Sequence, residues 1–195
     1  MIKAIKEKVD GFREILDKFP DVRYAGDPIL RQIVQPVSLE EGIGLGKKLG
    51  EVLKRYRKAV RYGRGFAAPQ IGESKAVFVT FADDQLQIFI NPKIIKRSKE
   101  TNYYRELCLS SGVMAADTQR PVWIVMVWTD EHGQTHQEKI TGFLARLYQH
   151  EEAHLRGKLN LDETVPGGIE FATFDPLKEQ LRNERNNSHT TEYGN

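Results

Sequence analysis

Two histidines four residues apart, with a glutamate beside the first, are the residues of this 195-residue chain best placed to do chemistry: His150, Glu151 and His154 in the run from Gln149 to Gly157. On a helix, His150 and His154 lie one turn apart on a single face, and Glu151 can swing toward the same point. The pattern offers two imidazoles to a metal and a carboxylate to carry protons. The competing interpretation is a pair of surface histidines beside solvated glutamates. The neighbouring sequence favours a helix with these rings inward. Thr141 is an N-cap candidate, Phe143, Leu144, Leu147, Tyr148 and Leu155 recur at helical spacing, and Gly157 is a natural stop. Leu147, His150 and His154 share one stripe, and buried imidazoles need partners that a metal can supply.

Two histidines leave a tightly held metal short of at least one protein ligand. Downstream, the pattern continues to Gly157 and Asn160, one residue type short of a metzincin protease motif, and Asn is a poor zinc ligand. Upstream stands Cys108, the only cysteine, in the run Glu106, Leu107, Cys108, Leu109, Ser110. A lone cysteine has no internal disulfide partner, so it is either an inert core residue or a reactive or metal-bound thiolate.

A third run lies earlier: Gly63, Arg64, Gly65, Phe66, Ala67, Ala68, Pro69, Gln70. Its glycines let the main chain approach a ligand closely, and the Gln70 amide is a neutral donor suited to charge developing on a carbonyl oxygen. Taken in order, the three runs resemble the peptide deformylase pattern G-φ-G-φ-A-A-x-Q, E-G-C-φ-S and Q-H-E-x-D-H-L. The resemblance extends from about Asp27 to about Leu161. It implies an enzyme that removes an N-formyl group and releases formate. Cys108, His150 and His154 would bind one metal per chain, Glu151 would be the general acid/base, and Gln70 with the Leu109 N–H would form the oxyanion hole. The family's usual metal is Fe2+, with Zn2+, Ni2+ or Co2+ as substitutes.

The chain departs from that pattern around the substrate. Arg64 stands between the two glycines where the family carries an aliphatic residue, Leu107 replaces the glycine before Cys108, and Arg146 replaces an aliphatic residue one turn before His150. Ala115 occupies a position where the family often has a substrate-contacting arginine. Ala153 replaces an aspartate expected to pair with Arg120. Gly63, Arg64, Gly65, Glu106, Leu107 and Arg146 are therefore the expected substrate-binding residues. Two cations near one metal site call for a substrate anion or for Glu106, so the substrate is expected to carry a polar or acidic side chain in place of methionine; the alternative is that both arginines snorkel to solvent.

The elements that must position these residues can be traced along the chain. Ile2, Ile5, Val9, Phe12, Leu16 and Phe19 predict an amphipathic helix ending at Pro20, an extension over residues 1–20 that caps the core or joins a partner. Leu45 to Tyr62 reads as a second helix with a basic, solvated outer face. Ala76 to Phe81 pairs with Gln85 to Ile95, and Val122 to Trp128 with Gln134 to Ile140. Pro166-Gly167-Gly168 is expected to break the chain, followed by a short helix from about Pro176 to Glu184 and a disordered tail over 185–195. The expected architecture is α+β, with mixed or antiparallel sheets wrapped around the helix bearing the two histidines, in a catalytic domain over 21–184.

A net charge of +2 with 29% charged residues makes no case for nucleic acid. No apolar stretch is long enough to span a bilayer, and charges interrupt residues 1–20, which argues against a signal peptide and for a reducing cytoplasm. The expected partner is an N-formylated peptide or small formylated amine, and the oligomeric state is not legible. The competing functions are a zinc peptidase, with Glu163 or Glu170 as its further ligand, and a catalytically silent relative that acts by binding.

Overall fold

The structure is a computed structural model, and it describes residues 2–60, 63–82 and 85–171. The helix expected near residues 176–184 and the tail over 185–195 lie outside the described residues.

Helix α1 (Ile2–Lys18) precedes α2 (Leu39–Val60), and β1 (Gly65–Ala67), β2 (Val77–Ala82) and β3 (Gln85–Arg97) follow. Next come β4 (Thr101–Leu107), β5 (Met114–Pro121), β6 (Trp123–Thr129), β7 (Thr135–Thr141), α3 (Gly142–Leu155) and β8 (Thr164–Phe171). The strands form a five-stranded sheet of order β1-β2-β3-β6-β7 and a three-stranded sheet of order β4-β5-β8. Every strand pair in both sheets is antiparallel. The architecture is thus α+β, as the sequence leads one to expect.

The larger sheet is covered on both faces, which is why β2 reads as a nearly continuous apolar run. Val77 and Val79 pack with Leu49, Leu53, Ile88 and Ile90 toward α2. Phe78 points the other way, joining Phe89, Ile124, Met126, Leu147 and Tyr148 toward α3. A glycine stripe brings α2 close to the sheet. A Cβ added at Gly42, Gly46 or Gly50 would stand 2.6, 2.4 or 2.5 Å from Ile90, Ile88 or Leu86. Four helical residues rise about 6 Å and two strand residues about 6.6 Å, so each missing side chain on α2 admits one side chain from a single face of β3. This stripe explains why α2 begins at Leu39, six residues before the expected start.

Four strands, β1, β4, β5 and β8, were not foreseen. β4 carries Asn102, Arg105 and Glu106 and lacks a clean apolar alternation, yet its pairing with β5 runs in register from Thr101↔Pro121 to Leu107↔Ala115. The expected break at Pro166-Gly167-Gly168 is corrected by β8, which crosses it. As the outer strand of its sheet, β8 tolerates Pro166, and a register shift between Ala116 and Thr118 takes up the irregularity. Gly157 does stop α3. Its φ is 72°, and a Cβ there would lie 2.6 Å from the Arg31 carbonyl.

Candidate metal centre and active site

The smaller sheet and α3 meet at the residues singled out by the sequence. α3 is buried almost throughout, from Ala145 to Leu155, so its histidines and glutamates lie inside the protein. Cys108 follows β4 immediately and caps a 3-10 turn, Leu109–Ser111. That turn places its thiol 3.4 Å from His154 Nε2. Donor atoms of Cys108, His150 and His154 all lie within 4.8 Å of one another, the one such group among the described residues.

Whether these residues suit a metal can be judged from their own geometry. Bonds of about 2.3 Å to sulfur and 2.0–2.1 Å to nitrogen at tetrahedral angles set the donors about 3.5 Å apart, close to the observed sulfur–nitrogen distance. The electrostatics agree. Burial alone would push the Cys108 thiol up, but His154 and His150 outweigh it and hold it well below the ordinary thiol range. Burial opposes the charged form of His150, yet contacts with Cys108 and Glu106 raise it well above the ordinary imidazole range. A thiolate held beside the His150 and His154 rings is a donor set that a divalent cation satisfies.

Behind the donors, Glu106 orients His150. Its Oε2 accepts from His150 Nδ1 at 2.9 Å, which turns Nε2 toward the cluster. Glu106 also accepts from Arg120 Nε at 2.6 Å, Arg120 Nη2 at 2.8 Å and Arg146 Nη1 at 2.8 Å. Burial works against its charge, but Arg120 and His150 hold its carboxyl well below the usual carboxylate range.

Glu151 is 3% exposed, and its Oε2 has no hydrogen-bond partner among the described residues. Burial raises its carboxyl to about 7 despite the pull of His150 and His154, so it can both accept and return a proton near neutral pH. Gly65 makes room for it: a Cβ there would stand 2.2 Å from Glu151 Oε1. Gln70 is fixed by accepting from the Ala67 N–H at 2.8 Å, and its Nε2 points at Ser110 Oγ, 3.1 Å away, and Cys108 Sγ, 3.7 Å away. Leu109 opens the 3-10 turn, where leading N–H groups lack partners within the turn.

All the expected site residues line one cavity of about 730 Å³, except His154, which lies behind it at 1% exposure. Arg64 and Arg146 have separate fates. Arg146 is buried, and besides Glu106 it donates to Thr118 Oγ1 and to the Asn102 carbonyl and side chain. Of the destinations open to it in the sequence, a substrate anion, Glu106 or solvent, the structure gives Glu106. Arg64 is exposed on the cavity wall with its guanidinium 5.7 Å from the Phe143 ring centroid, and it has no ion pair among the described residues.

Other residues take roles that the sequence did not reveal. The brace expected at position 153 is supplied from elsewhere, since Arg120 also donates to Glu163 Oε2 at 2.6 Å. Glu163 is thereby occupied, and Glu170 pairs with Arg105, so neither candidate peptidase ligand joins the cluster. Asn160 is a tie rather than a ligand: it donates to the Glu106 carbonyl at 3.0 Å and accepts from Ser111 Oγ at 2.6 Å. Among the described residues no helix is long and apolar enough to cross a membrane.

The chain is similar to known proteins. A family model described as "Polypeptide deformylase" matches residues 20–168. A peptide deformylase of Pseudothermotoga lettingae is 36% identical over 163 residues, covering 83% of this chain and 91% of that protein. The solved peptide deformylase of Thermotoga maritima is 31% identical, with a TM-score of 0.64 over 74% of this chain and 97% of its own. That of Synechococcus elongatus, solved with actinonin, is 27% identical with a TM-score of 0.65 over 85% of both chains.

Proposed function

The chain belongs to the polypeptide deformylase family, metal-dependent enzymes that remove N-formyl groups from peptides, and from that premise we propose how its own residues do so. Cys108, His150 and His154 hold the metal, one per chain, and their thiolate and imidazole donors suit Fe2+, with Zn2+, Ni2+ or Co2+ able to substitute. When bound, that ion polarises the formyl carbonyl and acidifies water.

The residues around it carry the proton and the charge. Glu151 takes the proton of the attacking water as the new C–O bond forms at the formyl carbon. The Gln70 amide and the Leu109 N–H meet the oxyanion, each donor worth roughly 3 kcal/mol. Glu151 then hands its proton to the departing nitrogen, the C–N bond breaks, and formate and a free amino terminus leave. Glu106, braced by Arg120 and Arg146, keeps His150 in the ligating orientation.

The first side chain of the peptide lies between Arg64, Phe143 and Leu147. Because Arg146 is committed to Glu106, a preference for a polar or acidic side chain over methionine rests on Arg64 alone. The observation that carries the proposal is the meeting of the lone thiol with both imidazoles, next to a buried carboxylate whose Oε2 has no partner among the described residues. Chain loaded anaerobically with iron is expected to release formate from formyl-peptides, and Glu151→Gln to abolish release while retaining metal. Formate release by Glu151→Gln at the wild-type rate, or none by the wild type on any formylated peptide or amine, would overturn it.

A further inference from the structure

Helix α1 precedes the segment that the family model matches, yet it forms part of the wall of the reaction cavity. Its inner face is anchored at both ends of the contact. Phe19 is 3% exposed and meets the Tyr56 ring edge-on at 5.5 Å. One and two turns earlier, Ile15 and Phe12 reach the cavity itself. Phe12 meets Tyr24 at 5.3 Å and sits in a notch at Gly112, where an added Cβ would lie 2.8 Å from the ring. Gly112 closes the 3-10 turn that Leu109 opens, so α1 rests on the turn assigned to the oxyanion.

The cavity therefore has two apolar walls that belong to different parts of the core. Leu147 packs with the α3 cluster, whereas Ile15 and Leu109 pack with the α2 cluster. Successive side chains of an extended peptide leave on opposite faces. With the first side chain against α3, the second turns toward α1. From this, resting on the deformylase proposal above, we infer that Phe12, with Ile15, is a specificity-determining residue that contacts the second side chain of the formylated peptide and selects an apolar one. Glu7, on the same wall, adds like-charge repulsion against an acidic residue there.

The test is formate release by full-length, iron-loaded protein from formyl-tripeptide amides that differ only at the second residue: Leu, Gly or Asp. Burying a Leu side chain against this wall gives the wild type a kcat/KM preference of at least about tenfold for Leu over Gly. Asp is expected to rank below Gly. Phe12→Ala is expected to bring the Leu/Gly ratio down to about two through KM, with Phe12→Leu between the two. Val9→Ala, at an exposed helix position away from the cavity, keeps the wild-type ratio. Should Phe12→Ala unfold on a melting curve, Phe12→Leu decides on the same scale. Active wild type with no Leu/Gly preference, or a ratio unmoved in folded Phe12 variants, overturns this inference and leaves the deformylase proposal standing. No formate from any wild-type reaction overturns both.

Discussion

Replacing Glu106 by Gln removes the one negative charge shared by two buried guanidinium groups and a histidine ring. The three charged side chains are nearly dry, at 5% exposure for Glu106, 6% for Arg120 and 9% for Arg146. Arg120 keeps Glu163 as a counter-ion, whereas Arg146 is left with the neutral acceptors Thr118 and Asn102. Stranding a buried charge in this way costs about 3–5 kcal/mol. In a domain of this size that lowers the melting temperature by about 6–20 °C. The same substitution takes from His150 the carboxylate that fixes its ring, a loss expected to weaken metal binding roughly 10–100-fold. Urea denaturation of the metal-free chain reads the first effect, and competition with a chelator reads the second. Adding Arg146→Met to Glu106→Gln removes the stranded charge, so the double variant is expected to recover most of the stability but not the metal affinity. Glu106→Gln within about 1 kcal/mol of wild type, or a double variant no more stable than the single one, would refute the assignment of Glu106 as the shared counter-ion.

Gly65→Ala forces the Glu151 carboxylate out of its seat, and kcat is expected to fall at least about 100-fold with metal content unchanged; a fall under threefold in steady-state assays would show that the seat is not needed. Gly46→Ala drives a methyl group toward Ile88 and is expected to cost about 1–3 kcal/mol in urea unfolding, and an unchanged midpoint would contradict the tight seating of α2 on β3. Arg64→Leu is expected to shift relative kcat/KM from formyl-Glu toward formyl-Met peptides by about two- to fivefold, the worth of an exposed ion pair, and no shift would remove the acidic preference.

The helix bearing His150, Glu151 and His154 was legible because a period of 3.6 and a metal-ligand spacing of four coincide on one stripe. Cys108 alone was ambiguous, since a buried thiol and a ligating thiol look the same in sequence, and only the order of the three motifs separated them. β4 was illegible for a related reason. Asn102, Arg105 and Glu106 look like surface residues, and they sit in a strand because Arg146, Asp117 and Arg120 answer them from other elements. The destination of Arg146 depends on that same pairing, so the sequence could pose substrate and Glu106 as alternatives without choosing. The early start of α2 was hidden by Gly42, a poor helix former whose value is the strand residue it admits, Ile90.

X-ray absorption at the iron edge of the anaerobically loaded chain tests the metal centre most directly. One sulfur and two imidazole nitrogens from the protein are predicted, with the sulfur shell lost in Cys108→Ser. A spectrum with nitrogen and oxygen scatterers only, or one that Cys108→Ser leaves unchanged, would contradict the account.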